Sequence, residues 1–349
     1  MTIRTYYAIL VLTCSALTAS AQDVAQDFAA IGAGSIEAPA GPIAPAGAHG
    51  PSLVAYCQCY GLISSTGNLY FTEFAINEFG PSFASFYRTG KYSLPGSEGL
   101  LYSESGPLYF DFGNVVWALV GGNYYGYFVA NYDRSGQRLS QIKRVPLGGG
   151  VPVTLAQSPA YIGVGDLATD GSTLFWADAG GVRRMAIGGG AIQTLVSSAS
   201  VTHIALDSGF VYYSIGANIG RIAKTGGPTG TMATAFAPVT ALYVWTPVPS
   251  YPVIFWGEQG AAVRSLSPQG LVTWQGPIAG RDVTSVGYDG NRALWIDCAE
   301  PGNPQCNVRV QSGGVTPTVV NAGVGASHLQ WDATSVYWIG VPGIQRYIY

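Results

Sequence analysis

The sequence predicts an all-β chain built from seven repeated sheets, and three observations predict it. An apolar strand ending in an aromatic residue is followed seven times by a strand carrying an arginine. The aromatics are Phe71, Trp117, Trp176, Tyr213, Trp256, Trp295 and Trp338, and the arginines are Arg88, Arg144, Arg184, Arg221, Arg264, Arg309 and Arg346. The units recur every 44 residues on average, about the length of one four-stranded blade. Finally, 48 Gly and 22 Tyr with only 10% charged residues suit short, tightly turned strands rather than helices. Together they give a seven-bladed β-propeller of four-stranded antiparallel blades, with six or eight blades as the alternative counts.

Residues 1–21 read as a secretory signal. Arg4 supplies the positive start, Ala8 to Leu17 the apolar stretch, and Ala19-Ser20-Ala21 the small-residue cleavage pattern before Gln22. Lipidation at Cys14 is the competing reading, but Val11-Leu12-Thr13 is a poor approach to such a cysteine. The apolar run is too short to span a membrane, and no other stretch is a candidate transmembrane segment. The expected location is therefore secreted, periplasmic or at the cell surface. Residues 22–50, rich in Ala, Gly and Pro, read as a flexible linker. Residues 51–349 are the propeller domain.

Within that domain Cys57 and Cys59 come first. They would share one face of a strand, where geometry disfavours a bridge between them. Two looser units follow, 61–105 and 106–157. The clearest unit runs from Ile162 to Ser198. Gly165 to Ala168 is its first strand, Thr173 to Trp176 its second, Gly181 to Met185 its third and Ala191 to Val196 its fourth. The turns Asp170-Gly171-Ser172 and Gly188-Gly189-Gly190 supply the backbone freedom that tight hairpins need. The same order recurs in 201–238, 239–277, 283–323 and 327–349. Cys298 and Cys306 flank the loop 299–305, so a local disulfide across a hairpin is expected. The last unit has only three strands. The fourth is expected from the N-terminal side, at Pro51 to Ala55, which would close the ring and remove its open edges.

Leu174-Phe175-Trp176-Ala177-Asp178, followed by Val182-Arg183-Arg184, resembles the YWTD propeller of low-density-lipoprotein-receptor type, and Val336-Tyr337-Trp338 is a shorter echo. The chain is also similar to secreted bacterial repeat propellers. The resemblance implies propeller architecture over most of 61–349. It implies no functional residue, because the YWTD type has six blades.

Three groups are candidates for function. The seven arginines would form an anion-binding ring if they converged. A third-strand position lies away from the axis, so the expectation is that each guanidinium packs on its blade's aromatic or pairs with a turn aspartate such as Asp170, Asp207, Asp289 or Asp332. A second column stands at the start of the innermost strands: Gly61, Asp166, His203, Ala241, Ser285 and His328. Imidazole and carboxylate are ligands for divalent metals, and histidine is a natural general base. Asp166, His203 and His328 therefore define the alternative reading, a metal-dependent lyase or hydrolase at the channel mouth. This arrangement resembles propeller lyases that cleave cyclic esters. The third group is a set of insertions between second and third strands, at 73–85, 120–141 and 297–305. The largest holds Tyr124, Tyr125, Tyr127 and Tyr132, which as exposed aromatics would bind a carbohydrate or a protein partner.

No phosphate-binding glycine loop, nucleophile elbow, H-E-x-x-H or EF-hand pattern occurs, and no basic stripe points to nucleic acid. The leading expectation is a non-enzymatic ligand- or protein-binding module with no cofactor. A divalent metal enters only under the alternative reading.

Overall fold

The computed structural model describes residues 51–349 except 58, 65–66, 76–81, 92–95, 107–109, 135–136, 159–165, 248–250 and 300–304. The signal, the linker and Cys14 lie outside the described residues. Strand β1 (Ser52–Tyr56) precedes the first blade. Blade 1 is β2 (Cys59–Ser64), β3 (Asn68–Ala75), β4 (Ser82–Gly90) and β5 (Gly99–Gly106). Blade 2 is β6 (Phe110–Val120), β7 (Asn123–Arg134), β8 (Gln137–Pro146) and β9 (Val153–Ser158). Blade 3 is β10 (Leu167–Thr169), β11 (Thr173–Asp178), β12 (Gly181–Ala186) and β13 (Gln193–Val196). Blade 4 is β14 (Val201–Leu206), β15 (Phe210–Ile215), β16 (Asn218–Ala223) and β17 (Gly230–Thr234). Blade 5 is β18 (Val239–Trp245), β19 (Val253–Glu258), β20 (Val263–Ser267) and β21 (Gly270–Gln275). Blade 6 is β22 (Arg281–Tyr288), β23 (Arg292–Ala299), β24 (Gln305–Ser312) and β25 (Thr318–Val324). Blade 7 takes β26 (Ser327–Trp331), β27 (Ser335–Gly340) and β28 (Gly343–Ile348).

All seven sheets have four strands, and the order in the last is β1-β28-β27-β26. Its outer pairing runs from Ser52↔Arg346 to Tyr56↔Gly343. Each blade's first strand touches the first strands on either side, from β2 through β26 and back to β2. The protein is therefore a ring of seven blades, a β-propeller. Its apolar cores lie between blades. Leu294 and Val308 of blade 6 pack with Leu329 and Trp338 of blade 7, for example. Trp176, Trp256, Trp295 and Trp338 are all fully buried on second strands. Each contributes roughly 1.5–3 kcal/mol of burial.

Aspartates build the first hairpin of four blades. In each, one carboxylate oxygen accepts two backbone N–H groups: Ser172 and Thr173 at Asp170, Gly209 and Phe210 at Asp207, Asn291 and Arg292 at Asp289, and Thr334 and Ser335 at Asp332. This is the local turn geometry that short acidic side chains favour.

The structure divides the arginine repeat into two columns. Arg88, Arg144, Arg184, Arg221 and Arg346 stand opposite Tyr70, Tyr127, Phe175, Tyr212 and Tyr337. Arg264 and Arg309 stand opposite Trp256 and Trp295, and their counterpart in blade 3 is Arg183, opposite Trp176. Neighbouring strand residues point to opposite faces, so the two columns face different blades. Trp117 is also reassigned. It lies on β6, the first strand of blade 2, where Tyr127 on β7 holds the second-strand position.

The second column is tied to acids two residues beyond the tryptophans. Arg183 Nε lies 2.9 Å from Asp178 Oδ1 and Arg264 Nε 2.9 Å from Glu258 Oε1, while Arg309 pairs with Asp297. The indole N–H groups of Trp176 and Trp256 donate to the same acids, Asp178 and Glu258. In the first column Arg144 lies over the Tyr125 ring and Arg221 over Phe210, as own-blade packing predicts. Two turn aspartates take other partners than expected. Asp332 binds Lys91 at 3.0 Å and Asp170 binds Lys224 at 3.1 Å, each lysine belonging to the following blade. Those lysines sit over Tyr337 and Phe175, and their carbonyls accept Arg346 and Arg184. The result is the same clasp at the 3–4 and 7–1 seams.

Candidate functional site

The inner strands are not regular ladders. Among the described residues, six of them carry a break in register toward their beginnings, at 59/61, 112/115, 201/204, 239/241, 283/285 and 327/330. A bulge adds a residue to one strand and re-aims its side chains. His203 and His328 both lie within such breaks. His328 also has a positive φ of 54°, a conformation that costs energy in a non-glycine residue.

Asp166 and His203 come together, with Asp166 Oδ2 3.3 Å from His203 Nδ1. The same oxygen accepts the N–H of Ile204 at 2.8 Å. Ser285 Oγ repeats this contact by accepting the N–H of Leu329, the residue after His328. The column therefore works as a brace, in which a polar side chain of one blade caps the inner strand of a later one. His328 is held by a 2.9 Å contact between its Nδ1 and Ser327 Oγ. Burial pushes the His328 imidazole pKa down, while the charge of Asp166 opposes that shift. Among the described residues no three His, Cys, Asp or Glu side chains form a group that could hold a metal ion.

The tyrosines expected in an exposed loop are strand residues. β7 and β8 pair continuously from Tyr125↔Pro146 to Arg134↔Gln137, so the extra residues lengthen a hairpin. Tyr127 and Tyr132 are buried in two inter-blade cores, and Tyr124 and Tyr125 pack at the margins of those cores. Alternation along the segment buries one set of side chains against each neighbouring blade. The insertion in blade 6 likewise extends β23 and β24 as far as Cys298↔Cys306, and a disulfide joins those two residues. Cys57 and Cys59 are also bonded, against expectation. Cys57 lies beyond the end of β1 and Cys59 begins β2, so the two do not share one strand. Their Cα atoms are 5.2 Å apart, within the span of a disulfide.

A pocket of about 370 Å³ opens toward the other ends of the inner strands. Ser64 of blade 1, Tyr243 of blade 5, Val286 of blade 6, and Leu329, Gln330 and Trp331 of blade 7 line it. Trp331 crosses blade 6 at Gly287, where a Cβ would stand only 2.4 Å from the indole ring. Across that glycine it meets Tyr243, with ring centroids 5.3 Å apart at 78°. Gln330 Oε1 accepts the Ser64 N–H at 3.2 Å, which joins blades 7 and 1 at the pocket wall. Burial, helped by the charge of Asp289, pushes the Tyr243 phenol up to about 12, so it stays protonated. This pocket escapes sequence reasoning because its residues come from four blades. Its one local signal is the Gln330-Trp331 pair ending β26.

Solved structures share the fold. The crystal structure of Saccharomyces cerevisiae Sqt1 is 9% identical with a TM-score of 0.54, covering 84% of this chain and 97% of that chain. A chain in the crystal structure of a mitotic checkpoint complex is 12% identical with a TM-score of 0.61, covering 91% of this chain and 98% of that chain. Both are WD40 propellers, and at such identity the likeness shows the fold alone. No family model matches the chain, and no curated protein matches it. The YWTD resemblance thus rests on short motifs, of which Trp176 and Asp178 are explained by their contact with each other and with Arg183.

Proposed function

We propose that this protein is a non-enzymatic binding module that holds its ligand at the mouth formed by Ser64, Tyr243, Gln330 and Trp331. The observation that carries this reading is the pocket itself. It is concave, carries two aromatic rings among its six lining residues, and is walled by inner strands of the closed ring. Sites of this size and makeup suit ligand capture. That one structural neighbour belongs to a multi-protein complex supports a binding role. The two disulfides favour an oxidising compartment, in keeping with export and cleavage before Gln22.

The test is a screen of small molecules, glycans and peptides against the wild type and a Ser64→Arg variant, whose longer side chain fills the pocket. Hits at this mouth lose binding in the variant while its melting temperature stays close to wild type. If every hit binds both proteins equally, the site lies elsewhere. For export, N-terminal sequencing of protein recovered outside the cytoplasm should begin at Gln22, and a chain retained with residues 1–21 intact refutes it.

A further inference from the structure

Three residues that line this pocket carry neutral polar groups without a partner among the described residues: the hydroxyl of Ser64, the amide nitrogen of Gln330 and the hydroxyl of Tyr243. The Gln330 carbonyl oxygen is fixed by the Ser64 N–H, so its amide nitrogen is left to donate. Tyr243 and Trp331 supply rings, and the buried side chains of Val286 and Leu329 supply an apolar floor. No charged residue is among the described residues that line the pocket. Asp289 acts on Tyr243 electrostatically, but it is already paired with Arg292 at 2.6 Å.

These features discriminate among ligands. A charged ligand would lose hydration with no counter-charge to replace it. A wholly apolar ligand would leave three polar groups buried and unpaired, each at a cost of about 1–3 kcal/mol. A sugar ring avoids both penalties. Its C–H face suits an aromatic ring, and its hydroxyl rim both donates and accepts. We infer that the mouth between Trp331, Tyr243, Gln330 and Ser64 binds one uncharged pyranose residue of a saccharide. This inference rests on the proposed binding role of the same mouth.

The test titrates the full exported chain with methyl glycosides of glucose, galactose, mannose and N-acetylglucosamine, using calorimetry and saturation-transfer NMR. Glucuronic acid and glucosamine serve as charged comparisons. At least one neutral glycoside is expected to bind, with both charged sugars weaker. Trp331→Ala should abolish that binding. Tyr243→Phe keeps the ring against Trp331 and removes one hydrogen bond, so affinity should fall about five- to tenfold, the equivalent of about 1–1.5 kcal/mol. Because Tyr243→Phe preserves the packing, it remains decisive if Trp331→Ala fails to fold. Absence of neutral glycoside binding, equal binding of charged sugars, or indifference to Tyr243→Phe overturns the inference. A peptide or other hit that depends on Trp331 while no glycoside binds overturns the saccharide and leaves the binding mouth standing. If no ligand of any class depends on Trp331, both readings fall.

Discussion

Replacing Asp332 by alanine is expected to destabilise the propeller by about 3 kcal/mol, chiefly through two of the contacts it makes at the seam between blades 7 and 1. The carboxylate caps a turn by accepting the N–H groups of Thr334 and Ser335 at 2.9 and 3.0 Å. The turn is solvent-accessible, so this part resembles the loss of a helix cap, about 1 kcal/mol. The second oxygen holds Lys91 at 3.0 Å, and that lysine side chain is only 3% exposed. Stranding a fully buried charge costs about 3–5 kcal/mol. Asp332 is itself 25% exposed, so water enters the vacated space and lowers this part to about 2 kcal/mol. Lys91→Met keeps an apolar side chain near Tyr337 and releases the carboxylate to solvent, so it should cost about 1 kcal/mol. The double variant strands no ammonium and should cost about 2 kcal/mol, well below the sum of the two single changes. Urea unfolding followed by tryptophan fluorescence, compared at unchanged m-value, measures all three variants. Additivity to within about 0.5 kcal/mol would refute the stranded-charge reasoning.

The same seam should be acid-sensitive. Burial pushes the Asp332 carboxyl up, but the Thr334 amide and the Lys91 ammonium outweigh it and hold the group below its ordinary value. Its contribution is therefore complete above the unfolded value near 4, about the ordinary carboxylate pKa, and is lost as pH falls through the lower folded value. Melting temperature should drop on acidification in the wild type and less steeply in Lys91→Met; equal slopes would contradict this account. Gly287→Ala places a methyl group against the Trp331 ring, so it should cost about 1–3 kcal/mol and change the near-ultraviolet dichroism of the pocket. An unaltered spectrum would mean that Trp331 does not lie across this glycine. Removing the Cys298–Cys306 bond by a double alanine change should cost at most about 2–3 kcal/mol, because the enclosed loop is short. A larger loss in denaturant titration would show that the bond does more than close its hairpin.

Blade number and order were legible because each blade repeats an aromatic strand, a basic strand and glycine or aspartate turns. What misled was parity. Arg184 and Arg264 each follow a tryptophan by eight residues, yet one faces Phe175 and the other Trp256, because hairpin length differs by a residue between the two blades. Spacing along a chain counts residues, whereas packing depends on which face they occupy. The Val120–Gln141 segment failed for a related reason. A run of tyrosines reads alike in a loop and in a strand buried on both faces, and only the neighbouring blades decide. The column of Asp166, His203 and His328 was legible as a position. Its bracing role was not, because that role depends on backbone N–H groups of another blade. Tyr243 and Trp331 lie 88 residues apart and meet only because residue 287 has no side chain.

The outer pairing of the seventh sheet also constrains how the molecule is made. Ser52 emerges during synthesis long before Arg346, its partner in that ladder. Until β28 appears, β1 has no edge to join, and blade 7 cannot reach its final width. Entropy of closing so long a loop is met late, after six other sheets have had the chance to form locally. The waiting strand Ser52–Tyr56 is short, which limits what it can template in the interval. Completion of the ring thus rests on a contact between Ser52 and Arg346, 294 residues apart in sequence, so the seventh blade depends on both ends of the domain.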